Sequence, residues 1–179
     1  MANEGNLTVP VAVVDSVQFA ELMARMDKIE EKLKEMGLQL PPAPKPMAQY
    51  IPAKLAGDLL FVSGQGPMKE GKPVRTGRVG ADLTVEEGAE CARLCALNSL
   101  AAAKSVLGTL DFIEEIVQLR GFVNSAPDFE QQPEVINGAS ELMVQLFGEK
   151  GRHARAALGT SSLPRNIPVE LEMVARVRM

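Results

Sequence analysis

The residues best suited to chemistry lie near the C-terminal end of the sequence, on two predicted strands. Arg155 lies on the first strand, and the Leu163-Pro164 turn leads to a second that carries Glu170 and Glu172. An arginine offers a planar fork of donors that can bind a carboxylate through two hydrogen bonds. A glutamate can hold a water molecule and transfer its proton. These residue types would suit hydrolysis of a small molecule that bears a carboxylate.

A second group of candidates lies far upstream of this arginine. The apolar run 58–64 ends in Ser63-Gly64 and predicts a buried strand, and Tyr50, the only tyrosine, precedes it. Glycine at a strand end lets a ligand approach the backbone closely. His153, the only histidine, lies two residues before the arginine and therefore on the same face of an extended strand. We expect a structural or solvent-facing role for it.

Together these features resemble the Rid (reactive intermediate deaminase, YjgF-like) family over about residues 47–179. Four separated patterns occur in the family's order: Tyr50 ahead of Ser63-Gly64-Gln65, Phe122-Val123 ahead of Asp128-Phe129, the pair Ala154-Arg155, and Leu163-Pro164 ahead of the Glu-containing strand 169–175. Each pattern alone is weak, but their collinear order makes the resemblance specific.

The resemblance implies an enzyme that hydrolyses reactive imines or enamines to carbonyl compounds and ammonia. It implies that Arg155 clamps the substrate carboxylate and that Glu170 acts on water, with Glu172 as the competing candidate. Because an imine carbon is already electrophilic, positioning and charge can suffice without a metal or organic cofactor. The family pattern further implies a homotrimer with pockets between subunits, lined by Tyr50, Ser63 and Gly64.

Each candidate also has a structural interpretation, and three functions stay open. Arg155 could form an ion pair between subunits, and Tyr50 could be an aromatic residue at the edge of the core. Ala157 and Pro127 stand where many family members have cysteine and asparagine, which predicts a pocket of different shape. A trimer that binds small carboxylates without catalysis is the first alternative. The RNA-cleaving activity sometimes attached to the family name is the second.

The order of predicted elements indicates an α+β domain over residues 50–179. Thr84-Val-Glu-Glu87 is a capping box that opens a helix ending at Gly108, and Pro133 fits the first turn of a second helix. Strands are predicted at 58–64, 116–123, 154–161 and 169–177. We expect a mixed β-sheet with the two helices packed on one face, the chorismate-mutase-like fold that the resemblance implies.

Residues 1–37 form a predicted extension with an amphipathic helix at 15–37, followed by a Pro-rich linker at 38–49. One face of this helix carries a seam of six apolar residues, Phe19, Leu22, Met26, Ile29, Leu33 and Met36. Three roles stay open for the seam. It could form a coiled coil that reinforces the trimer, dock on a shell or scaffold protein of a bacterial microcompartment, or fold back on its own domain.

Composition narrows the classes of partner. The net charge of −4 without a Lys/Arg-rich run disfavours nucleic acid and favours a small molecule as ligand. The family resemblance implies that this ligand is an imino or enamino acid. Cys91 and Cys95 are expected to be buried apolar residues, and with one histidine they cannot form a local metal site. No apolar run is long enough to span a bilayer and the N-terminus lacks a basic signal start, which predicts an intracellular protein.

Overall fold

The computed structural model describes residues 28–43 and 49–178. The helices in these ranges are α1 (Lys28–Glu35), α2 (Val85–Leu107) and α3 (Gln132–Phe147). The strands are β1 (Ala53–Ala56), β2 (Leu59–Gln65), β3 (Met68–Lys69), β4 (Lys72–Pro73), β5 (Ile113–Asn124), β6 (Ala154–Thr160) and β7 (Val169–Val177).

Five strands form one mixed sheet in the order β1-β2-β7-β5-β6. All neighbouring strands are antiparallel except β5 and β6, which run parallel. Because β6 is the last strand in this order, it is an edge strand. Helix α2 packs on β2 and β7, α3 packs on β5 and β6, and the two helices pack on each other. The prediction of an α+β fold with a mixed sheet and two helices on one face is confirmed.

The two sheet-packed helices begin and end where their capping residues predict. Thr84 and Glu87 form the reciprocal capping box of α2, and Gly108 ends that helix with φ 80°. Pro133 lies in the first turn of α3, and Gly148 ends it with φ 62°. The predicted inner face of α3 is buried in full: Val135, Ile136, Ala139, Leu142, Met143 and Leu146. Small residues on α2, including the buried thiols of Cys91 and Cys95, let this helix lie close to the sheet.

The sheet has one covered face and one open face. On β7 the buried residues alternate with residues of the open face, as the sequence pattern predicts. The open face carries large exposed apolar side chains, among them Phe61 at 45% and Leu158 at 53% exposure. Glu172 on the same face forms an ion pair with Arg120 of β5. Exposed apolar side chains of this size on one face mark a candidate interaction surface.

Helix α1 packs on the domain, against α3 and the 3₁₀ turn Leu110–Phe112. The seam residues Ile29 and Leu33 are buried, and Met36 packs partly against the core. Of the three roles left open for the seam, folding back on the domain is the one that α1 adopts. The upstream seam residues Phe19, Leu22 and Met26 lie outside the described residues.

Polar contacts from the first five residues of α1 fix it to the domain. The Asp111 carboxylate accepts hydrogen bonds from the backbone amides of Lys28 at 2.8 Å and Ile29 at 3.3 Å, as a helix cap does. Glu30 forms an ion pair with Lys104 of α2 at 3.0 Å. The Lys32 ammonium donates to the Leu146 carbonyl at 2.9 Å, in the last turn of α3.

Candidate functional site

Arg155 lies on the edge strand β6 and faces the helix side of the sheet. It is in register with Leu119 of β5, a fully buried residue beneath the helices. Its Nη1 donates to Asn137 Oδ1 at 2.7 Å and to Ser140 Oγ at 3.1 Å, both on α3. Within the described chain its Nε and Nη2 donate no hydrogen bond, and the side chain is exposed. One edge of the guanidinium is therefore held while the other faces solvent.

His153 extends this hydrogen-bonded group, which we name the arginine cluster: Asn137, Ser140, His153 and Arg155. The ring Nδ1 lies 2.7 Å from the Gly151 carbonyl and Nε2 lies 3.0 Å from Ser140 Oγ. Burial lowers the pKa of His153, and the charge of Arg155 lowers it further, against the opposing effect of the Gly151 hydrogen bond. Both ring nitrogens are thus engaged, in keeping with the structural role expected from the sequence.

Glu170 lies on the opposite, open face of the sheet, in register with Phe122 of β5. A Cβ placed on Gly64 of β2 would overlap the Glu170 carboxylate, so a glycine there provides the space this carboxylate occupies. Burial raises the pKa of Glu170, and the negative charge of Glu172 raises it further. Among the described residues Glu170 has neither a hydrogen bond nor an ion pair, whereas Glu172 is held by Arg120.

Tyr50 precedes β1, and Ser63 lies near the end of β2, the strand that pairs with β7. Tyr50 is 48% exposed and, with Ser63 and Glu172, lines an open cleft of about 500 Å³. The Ser63 hydroxyl donates to the Ile51 carbonyl at 2.9 Å, which fastens the segment after Tyr50 to β2. Glu172 is the glutamate that lines this cleft, whereas Glu170 lies against Gly64 of the same strand β2. We name the open-face candidates Tyr50, Ser63, Gly64 and Glu170 the glutamate cluster.

The five residues predicted as one site therefore form two clusters on opposite faces of a single chain. Leu119 and Phe122 are three positions apart on β5, so their side chains point to opposite faces. Arg155 pairs with the first and Glu170 with the second. Within one subunit the guanidinium and the carboxylate cannot contact the same small molecule.

Sequence reasoning missed Asn137 and Ser140. Their spacing of three places them on one face of α3, beside the buried stripe that the pattern did identify. Asn137 is exposed and Ser140 half-buried, as expected at the border of an amphipathic helix. That spacing, read together with a neighbouring edge strand, is the signal that would have found them.

A further cleft of about 420 Å³ lies at the C-terminal ends of β5 and β6. Pro127 and Arg78 line this cleft, while Ala157 packs against the core beside Arg155. No group of three or more His, Cys, Asp or Glu residues in the described part of the chain could hold a metal ion. None of the helices within 28–43 and 49–178 is both long and apolar enough to cross a membrane.

Comparison with known proteins identifies the family. Residues 30–176 match the family described as "YjgF/chorismate mutase-like, putative endoribonuclease". The match begins inside α1, upstream of the position at which the sequence resemblance starts. Protein TCP17 of Trypanosoma cruzi is 40% identical over 151 residues, which cover 84% of this chain and 94% of that protein.

Solved structures agree with this assignment. Atu1372 from Agrobacterium tumefaciens, a protein of unknown function, is 45% identical with a TM-score of 0.82, and the match covers 89% of this chain and 99% of that one. The YjgF gene product of Escherichia coli shares the fold at 22% identity and a TM-score of 0.55, over 76% of this chain and 94% of that one. The fold, the extent of the family match and these relatives together show that the chain belongs to the YjgF/chorismate mutase-like family.

Proposed function

We propose that the protein hydrolyses reactive imines or enamines that carry a carboxylate, releasing a carbonyl compound and ammonia. The observation that carries this proposal is the state of Arg155. Its Nη1 is held by Asn137 and Ser140, and its Nε and Nη2, which have no partner within 28–43 and 49–178, can donate two parallel hydrogen bonds. That free edge matches the geometry of a substrate carboxylate.

Glu170 supports the hydrolytic step. A carboxylate without a fixed partner, with its pKa raised by burial, is suited to accept a proton from water. The oxygen of water bonds to the carbon of the protonated imine while Glu170 takes one water proton, which gives a neutral carbinolamine. Glu170 then returns that proton to the nitrogen. As the carbon–nitrogen bond breaks and ammonia leaves, the carbinolamine hydroxyl gives its proton to Glu170 and the carbonyl forms. An enamine that gains a proton on carbon enters the same sequence as the protonated imine.

The two clusters act together when Arg155 of one subunit meets Glu170 of a second. Two features favour this arrangement: the clusters lie on opposite faces of the sheet, and the open face beside Glu170 exposes Phe61 and Leu158. The homotrimer that the family resemblance implies would contain three such shared sites. Each would combine the arginine cluster of one chain with the glutamate cluster of its neighbour.

A complementation experiment tests the shared site. Arg155→Lys and Glu170→Gln chains are each expected to have little activity alone at substrate concentrations below the wild-type KM. Every mixed trimer of the two contains one neighbouring pair in which both residues are intact, so random mixing restores about a quarter of the sites. Ammonia release is followed with an imino acid generated in situ by an amino-acid oxidase. Equal mixtures that stay inactive would contradict a site shared between subunits.

The two alternatives predict other outcomes of the same assay. A trimer that only binds small carboxylates would bind pyruvate through Arg155 yet leave the rate of ammonia release unchanged. An endoribonuclease, as the family description suggests, would cleave single-stranded RNA. The net charge of −4 gives little attraction for a phosphate backbone. We therefore favour the deaminase.

A further inference from the structure

We propose that Ser140 and His153 are positioning residues that fix the guanidinium of Arg155, and that a substrate carboxylate must consequently bind along its Nε–Nη2 edge. This inference rests on the proposed role of Arg155 as the carboxylate clamp. It concerns two residues that the family resemblance did not assign.

The hydrogen-bond directions follow from the chemistry of the groups. The Gly151 carbonyl can only accept, so His153 Nδ1 carries the proton that is donated across 2.7 Å. In the neutral ring Nε2 is then an acceptor, and Ser140 Oγ, 3.0 Å away, donates to it. The serine oxygen keeps its lone pairs for Arg155 Nη1 at 3.1 Å. The result is a directed chain from Arg155 through Ser140 and His153 to Gly151.

This chain restricts how Arg155 can bind a ligand. Nη1 has two hydrogens, and Asn137 Oδ1 at 2.7 Å and Ser140 Oγ at 3.1 Å accept one each. Because the guanidinium is planar, two fixed contacts at Nη1 set the orientation of the whole group. A carboxylate therefore meets Nε and Nη2, and not the pair of terminal nitrogens. Without Ser140 the group could rotate, and binding would cost additional ordering.

The surroundings of His153 favour the neutral ring. Burial lowers its pKa and the positive charge of Arg155 lowers it further, while the Gly151 hydrogen bond opposes them, and the net lowering favours a ring that accepts at Nε2. The neighbouring Arg152 is paired with Glu149 at 3.0 Å in the turn that precedes β6. Arg155 is the charged side chain that acts on the pKa of His153. A carboxylate that neutralises Arg155 should raise the pKa of His153.

Two substitutions of His153 separate positioning from a purely structural role. His153→Gln can retain an acceptor at the place of Nε2 but loses the donor to Gly151, whereas His153→Asn retains a donor at the place of Nδ1 but loses the contact with Ser140. We measure pyruvate binding by calorimetry and KM for the imino acid. Positioning predicts that the Asn variant binds about tenfold more weakly with kcat little changed, and that the Gln variant stays close to wild type.

The Ser140 variants provide the matched pair on the other side of the chain. Ser140→Ala should weaken pyruvate binding by a similar factor, and Ser140→Thr, which keeps the hydroxyl, should restore it. The reverse order for His153, with the Gln variant weak and the Asn variant normal, would overturn the proposal. So would wild-type pyruvate binding in both His153→Asn and Ser140→Ala.

The test distinguishes failure of this inference from failure of the proposed function. If Arg155→Lys binds pyruvate as the wild type does, the clamp itself is wrong and both ideas fall. If Arg155→Lys loses binding while the Ser140 and His153 variants keep it, only the positioning role falls. Because His153 is the only histidine, its imidazole C–H signal in NMR titrates without overlap. Binding of the carboxylate at Arg155 requires that pyruvate raise the pKa read from this signal in the wild type and not in Arg155→Lys, so this titration tests the clamp independently of the positioning role.

Discussion

Gly64 on β2 provides the space in which the carboxylate of Glu170 on β7 lies. A methyl group at this position would overlap that carboxylate, although β2 and β7 are otherwise paired in regular register up to Val62. The glycine is thus required by the position of an acidic side chain and not by a turn. Its substitution should act on the chemistry more than on the fold.

Gly64→Ala should lower kcat by about tenfold or more, because a displaced base no longer meets the attacking water. The backbone at Gly64 does not adopt a positive φ, so alanine is compatible with the strand. Thermal unfolding should change little, and pyruvate binding through Arg155 should persist. Full activity in this variant would show that the position of Glu170 is not important for turnover.

Arg155→Lys should weaken binding of carboxylate substrates by roughly 10- to 100-fold, because one ammonium cannot replace a fork of two charged donors. Arg152→Lys is the matched control: this arginine is three residues away, and its ion pair with Glu149 is exposed. KM and kcat measured for both variants test the difference. If both substitutions change KM and kcat equally, Arg155 has no specific role in binding the substrate.

The acid limb of the pH–rate profile should lie above the ordinary range for a glutamate. Burial and the charge of Glu172 disfavour the ionised form of Glu170, so its pKa is raised. As the pH falls, Glu170 is therefore protonated, and stops acting as a base, at a higher pH than an ordinary glutamate. Glu172→Gln removes one of these charges and releases Arg120, a cation on the same face. Both changes shift the limb of kcat/KM to lower pH. An unmoved limb would mean that another group titrates.

Deletion of residues 1–27 and deletion of residues 1–40 should have different effects on stability. The shorter deletion keeps α1, while the longer one exposes the surface that Ile29 and Leu33 cover. Burial of two such side chains contributes about 3 kcal/mol or more to the free energy of unfolding. Denaturant unfolding of both variants measures the difference. If the two deletion variants have the same free energy of unfolding, α1 does not stabilise the domain, and the domain starts at residue 50 as predicted.

A fusion of the N-terminal segment to a reporter tests the shell-protein hypothesis. Since Ile29 and Leu33 are covered by the domain, a docking role for the seam falls on Phe19, Leu22 and Met26. A fluorescent reporter fused to residues 1–45 should then concentrate at microcompartment shells in cells that produce them. A reporter that stays diffuse would contradict targeting.

Local signals explain which parts of the fold were predictable. The Thr84 capping box and Gly108 fix the ends of α2, and alternation along β7 identifies its buried face. The position of Arg155 relative to Glu170 was not predictable, because it depends on register between strands that are distant in sequence. The apolar seam of the N-terminal helix likewise predicts that one face of the helix is buried, but it does not predict which surface covers that face.

The buried thiols make unfolding directly measurable. Burial raises the pKa of Cys91 to about 11 and that of Cys95 well above its usual range, so both remain protonated and shielded in the folded chain. Alkylating reagents should therefore modify them only when α2 separates from the sheet. The rate of labelling at low denaturant then gives the opening free energy of the core in each variant, without the introduction of a further cysteine.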